Sequence, residues 1–158
     1  MRLQSAKLLI IAVELSLLLL VVSILVFQQI NSPVKYAPIV HLVEGKVRGI
    51  VEEVDPGLRV YFYQGIRYGR AERFRKPFPA ESWPGIYQAL EPRPTCPFNG
   101  LDNPAKRYFT DKYSEDCLYV NVWRPTTEKK NRAVMVYIFG GGFKTGSIFK
   151  FTHDGRYV

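Results

Sequence analysis

Two kinds of hydrophobic pattern divide the chain. Residues 8–27 are Leu, Ile, Val or Phe at every position except Ala12, Glu14, Ser16 and Ser23, so the segment is apolar on all sides. A helix of that length rises about 30 Å, the hydrocarbon thickness of a bilayer. Beyond residue 38 the apolar residues come in short runs separated by turn formers. Runs at 42–54 and 58–63 flank Asp55-Pro56-Gly57, where proline presets the turn and glycine tolerates positive φ. They predict an antiparallel hairpin at the outer edge of a sheet. Residues 118–123 alternate Leu, Val and Val against Tyr, Asn and Trp, a strand with two different faces. Residues 134–139 do not alternate, which predicts a strand buried on both faces of a parallel sheet. That run empties directly into Gly140, Gly141 and Gly142. The proline-dense stretch 76–104 reads as surface loop, and neither an internal repeat nor a long amphipathic helix is visible.

Glycine is needed where a backbone passes very close to something or points several N–H groups at one atom. The carboxyl end of a central strand is also where open α/β sheets place their ligands. Just upstream lies EDCLYVNVWRP at 115–125, and together with GGGFKTGS at 140–147 it resembles the type B carboxylesterase and cholinesterase family of α/β-hydrolases. Further matches are Gly45 and Gly49 in EGKVRGIV, YQGIRYG at 63–69, the Arg73-Phe74 pair and Trp83, so the resemblance covers roughly residues 40–158. It implies an α/β class chain, the N-terminal part of an α/β-hydrolase fold, here mostly strands and loops and preceded by one transmembrane or signal helix. The expected organisation is a signal-anchor or signal peptide at 1–30, a linker at 31–38 and a partial carboxylesterase type B domain at 39–158. Family members are several times longer, and the sequence stops about where the next strand would begin. The expectation is an N-terminal fragment, unstable or aggregation-prone alone because an apolar strand is left at a sheet edge.

The resemblance assigns Gly141 and Gly142 as backbone N–H donors to an oxyanion hole, with Gly140 giving the loop its path. Phe139 stands where many esterases of the family carry histidine, although cholinesterase-like members also have an aromatic there. A serine hydrolase further needs a Gly-x-Ser-x-Gly elbow, then an acid and a histidine in chain order. The 158 residues contain no such elbow. His41 and His153 match no catalytic histidine and read as surface residues. Cys96 and Cys117 would pair in an oxidising lumen, and the resemblance supports the bridge through a disulfide-closed loop ending at the position of Cys117; two buried thiols are the alternative. The resemblance also pairs Arg73 with Glu115 in a buried or half-buried ion pair. Two features depart from the family. The stretch 68–74 is short, with Arg67 in place of a common proline, and the cysteine loop has no tryptophan for a quaternary ammonium. No metal and no cofactor are implied.

Net charge is +8. Arg67, Arg70, Arg73, Arg75 and Lys76 cluster, but without any nucleic-acid motif they read as a solvated loop face, and no nucleic-acid partner is expected. Glu14 within the apolar run costs about 2.5 to 3.5 kcal/mol on the membrane-insertion scale, outweighed by the surrounding residues at about −0.3 to −0.6 kcal/mol each. Arg2, Lys7 and the amino terminus outnumber Lys35 on the far flank, which puts the N-terminus in the cytosol and the rest outside. A cleaved signal peptide competes with this single-pass anchor, although no good small-x-small site precedes Pro33. Either route sends residues 35–158 into the secretory pathway. Two functions share these features. One is the N-terminal part of a membrane-anchored or secreted ester hydrolase, with an ester substrate only where a downstream catalytic part is present. The other is a non-catalytic, neuroligin-like cell-surface adhesion relative.

Overall fold

A computed structural model of the chain describes residues 2–30, 33–98 and 112–157. It divides into two units, one ending at Val34 and the other beginning at Lys35. The first is α1 (Arg2–Ile30), whose window Ile11–Gln28 has a mean hydropathy of 2.5. It is long and apolar enough to cross a membrane, a test that a signal sequence also passes. The Ser16 and Ser23 hydroxyls donate to the carbonyls of Val13 and Leu19 at 2.7 and 2.8 Å. Neither hydroxyl therefore stands unpaired on the apolar helix, as a lipid environment demands.

The second unit is strand-rich. In chain order it holds β1 (Val40–His41), β2 (Lys46–Arg48), β3 (Ile50–Asp55), β4 (Leu58–Arg67), β5 (Gly69–Arg70), β6 (Phe78–Pro79), β7 (Ile86–Gln88) and β8 (Tyr119–Pro125). They form three small sheets, ordered β1-β2-β7, β3-β4-β8 and β5-β6. The hairpin about Pro56 is present as β3 and β4, paired antiparallel from Ile50↔Phe62 to Asp55↔Leu58. Its turn is braced by the Glu53 carboxylate, which accepts the Gly57 N–H at 3.2 Å and pairs with Arg59. Those contacts, the Gly57 N–H first, hold the Glu53 carboxyl below its ordinary value.

The run 42–54 is not one strand. It breaks into β2 and β3 at Gly49, where the chain passes from one sheet to another. A Cβ on Gly49 would run into the Phe62 carbonyl and lie 2.8 Å from the Tyr63 ring. Glycine is thus required by space at the crossing. β4 is the central strand of its sheet and β8 pairs with it antiparallel, with a register shift between Tyr63 and Ile66. At that irregularity Asn121 Oδ1 accepts the Gly65 N–H at 2.9 Å and the Gly65 carbonyl accepts the Tyr87 hydroxyl at 2.8 Å. The proline-dense stretch is also more than loop, since β7 lies within it and pairs parallel with β2.

One core cluster joins Ala37, Val47, Tyr63, Ile66 and Ala89, flanked by Val40, Tyr61, Trp83 and Tyr87. On the other sheet Phe62 stacks on Trp123, centroids 4.9 Å apart and planes 11° apart. Such a pair contributes about 0.5–1.5 kcal/mol beyond its buried area. The expected buried parallel strand at 134–139 is not formed. That segment pairs with no other described strand, and Val134 and Ile138 are 86 and 87% exposed. An apolar run needs neighbours on both edges and both faces to become a buried parallel strand, and no described segment supplies them.

Candidate functional site

After β8 the Thr126 hydroxyl donates to the Arg59 carbonyl at 3.3 Å, tying the charged turn to the hairpin. Residues 133–139 lead from there into the glycines. The Gly141 carbonyl accepts the N–H groups of both Lys144 and Thr145 at 3.1 Å, closing a tight turn. A Cβ on Gly141 would overlap the Thr145 carbonyl. Gly142 and Phe143 follow with φ of 59° each, two successive left-handed residues. Around the Cβ positions of Gly140 and Gly142 nothing lies within 4 Å. The N–H groups of Gly141 and Gly142 donate to no other described group. The loop therefore carries unengaged backbone donors at exposed glycines.

The neck of the loop is closed. Gly146, at φ +123°, sits so tightly that a Cβ there would lie 2.6 Å from the Phe139 ring and 2.9 Å from the Gly140 carbonyl. Beyond it the Ser147 hydroxyl accepts the Phe149 N–H at 3.0 Å, and Phe149, 1% exposed, anchors the exit in the interior. Two short 3-10 helices follow, Phe151–His153 and Gly155–Tyr157. Arg156 binds the buried Asp154 carboxylate and reaches Glu52 on β3 at 3.0 Å. Gly155 lies under the Trp123 ring, 2.6 Å from where its Cβ would be. These contacts dock the tail on the sheet. His153, expected at the surface, is half-buried against the loop, whereas His41 on β1 is exposed.

Cys96 and Cys117 are bonded, with Cα atoms 5.0 Å apart. Arg73 and Glu115 meet in an ion pair, but their side chains are 68 and 49% exposed. The expected burial is thus corrected. The loop around the arginine runs over the surface, with the Arg75 N–H donating to the Glu72 carbonyl at 2.9 Å and Phe74 turned to solvent. A pair so exposed contributes about 0–1 kcal/mol. Sequence reasoning missed a stronger pair beside it. Arg67 binds Asp116 through both terminal guanidinium nitrogens, Nη2 at 2.7 Å, and also donates to the Tyr119 hydroxyl, with its guanidinium 4.7 Å over that ring. The hydrogen bonds from Arg67 hold the Asp116 carboxyl below its ordinary value and raise Arg67 in turn, while burial pushes the Tyr119 hydroxyl up. The signal was present in the sequence: an aspartate between Glu115 and Cys117, and an arginine where a proline was expected.

The carboxylesterase family profile matches residues 36–158, from just before β1 through the glycine loop. The chain belongs to the carboxylesterase family. A cholinesterase of Mus musculus is 37% identical over 124 residues, covering 72% of this chain and 20% of that protein. An acetylcholinesterase-1 of Trittame loki is 35% identical over 137 residues, covering 75% of this chain and 23% of that protein. The chain spans about a fifth of the length of these curated relatives.

For a carboxylesterase-family chain, the described residues hold donors without a nucleophile arranged beside them. The Ser147 hydroxyl is engaged by Phe149, and the Thr145 hydroxyl faces the Gly141 carbonyl at 3.3 Å. A cavity of about 200 Å³ lies between the tail and the sheet, lined by Glu52, Phe62, Gln64, Trp123, Asp154 and Arg156 among others, and not by the glycines. No three His, Cys, Asp or Glu side chains gather as a metal cage among the described residues.

Proposed function

We propose that this chain supplies the oxyanion-hole loop of a carboxylic ester hydrolase, as the N-terminal part of an α/β-hydrolase domain. The observation that carries the reading is the pair of unengaged N–H groups at Gly141 and Gly142 on an open, glycine-dependent turn. When a nucleophile attacks an ester carbonyl, the carbonyl oxygen gains negative charge and lengthens its demand for donors. Two fixed N–H groups meet that demand without reorganising. Loss of one such donor typically slows the reaction by about 100- to 1,000-fold. Gly140 gives the chain the path to the turn, and Gly141 permits the close pass over Thr145. The nucleophile, its base and the orienting acid belong to a catalytic part outside these residues, and the ester is bound only with that part present.

Helix α1 and the disulfide support a lumenal or extracellular domain, held by α1 as a single-pass anchor with its N-terminus in the cytosol. In an oxidising compartment the Cys96–Cys117 link, 21 residues apart in sequence, contributes about 3 kcal/mol in the chain-entropy description. Transcripts of this locus read beyond the codon for Val158 test the reading. A Gly-x-Ser-x-Gly elbow roughly a hundred residues on is the expected result. A replaced serine in that elbow would overturn it in favour of the neuroligin-like adhesion relative.

A further inference from the structure

The glycine loop is short, open on its donor side and built from residues that impose little stiffness, yet an oxyanion hole acts only when its donors are fixed in advance. The His153 side chain meets both arms of this loop. On the entering arm its ring lies 5.3 Å from the Tyr137 ring and 5.8 Å from the Phe139 ring, nearly parallel to the latter at 17°. On the leaving arm its Nδ1 is 2.7 Å from the Ser147 carbonyl oxygen. A carbonyl can only accept, so Nδ1 carries the proton and donates. The ring thus touches both arms of the loop, six residues after the serine it bonds and fourteen after Phe139.

We propose that His153 is a positioning residue that clasps the glycine loop, holding its two arms together so that the Gly141 and Gly142 N–H groups keep one geometry. The inference rests on the oxyanion-hole reading for its purpose, but not for its test. The clasp has two separable parts: a ring against Tyr137 and Phe139, and a donor to Ser147. Phenylalanine at 153 keeps the first and removes the second. Asparagine keeps a donor and removes the ring. Alanine removes both.

The experiment is amide hydrogen exchange of the full 158-residue chain in detergent micelles, comparing the parent with His153→Ala, His153→Phe and His153→Asn. The expected result is exchange of the Lys144 and Thr145 amides, the two loop amides that donate to the Gly141 carbonyl, faster by about tenfold in the alanine variant, the scale of one net hydrogen bond, and by less in the other two, with β4 and β8 unchanged. Unchanged exchange at Lys144 and Thr145 in His153→Ala would overturn the clasp and leave the oxyanion reading standing. Equal acceleration across loop and sheet in all three variants would also overturn it, because His153 would then support the fold at large. Selective loop acceleration, together with a longer product that lacks the serine elbow, would keep the clasp and remove the oxyanion reading. An independent signature is the tautomer: nitrogen-15 spectra of histidine-labelled chain, assigned with His41→Asn, should show neutral His153 protonated at Nδ1. Protonation at Nε2 alone would contradict the bond to Ser147.

Discussion

At Asp116 and Arg67 one bidentate pair sets the local electrostatics. The aspartate titrates below its ordinary range because Arg67 donates to its carboxylate. A carboxyl depressed in the folded state adds stability above its unfolded value, near pH 4, and loses it as the pH falls through the folded value. Arg67 is raised and stays charged throughout. Because the Asp116 side chain is half exposed, solvent screening limits the contribution to about 1 kcal/mol or less. Asp116→Asn should therefore lower the melting temperature by a few degrees at pH 7, with the gap to the parent narrowing below about pH 4. A gap that widens in acid would contradict the coupling. The resemblance named Arg73 and Glu115 as partners from their motifs, but depth was not legible in them. Whether a pair is buried depends on what covers its loop, and Phe74 beside it faces solvent.

At the scale of elements, the turn at Asp55-Pro56-Gly57 and the alternation at 118–123 were legible because both signals are local. Turn chemistry and a two-residue period need no knowledge of the rest of the chain. The runs at 42–54 and 134–139 were misread for the opposite reason. Apolar character says that a segment seeks burial, but its partner is chosen by distant residues. Gly49 makes the first case concrete, since β2 and β3 join different sheets and the crossing has no room for a side chain. Gly49→Val forces the backbone away from the Phe62 carbonyl, an overpacking that costs about 1–3 kcal/mol. Urea unfolding should show the midpoint falling with little change in slope. An unchanged midpoint would show that the crossing can relax freely. The glycine loop stands between these cases: its need for glycine was legible, while the part played by His153 at its neck was not, because no spacing rule announces a ring that packs across a loop.

For the whole molecule, composition announced α1 and its capacity to span a bilayer, and the residues after it fit a domain outside the cytosol. Expressed with microsomes, the chain should stay in the pellet after carbonate extraction, since the apolar sum of 8–27 exceeds the cost of Glu14. A shortened, soluble product would identify a cleaved signal peptide instead. The central proposal is that Gly141 and Gly142 of this carboxylesterase-family chain serve as oxyanion donors, and that the barrier they lower belongs to an attack performed by a nucleophile elsewhere. The most direct measurement is hydrolysis of a short-chain nitrophenyl ester by the purified 158-residue chain, beside a Gly141→Val variant whose side chain collides with Thr145. Background hydrolysis by both proteins is the predicted result. Turnover above background that the valine abolishes would contradict the claim and place a working nucleophile within these residues.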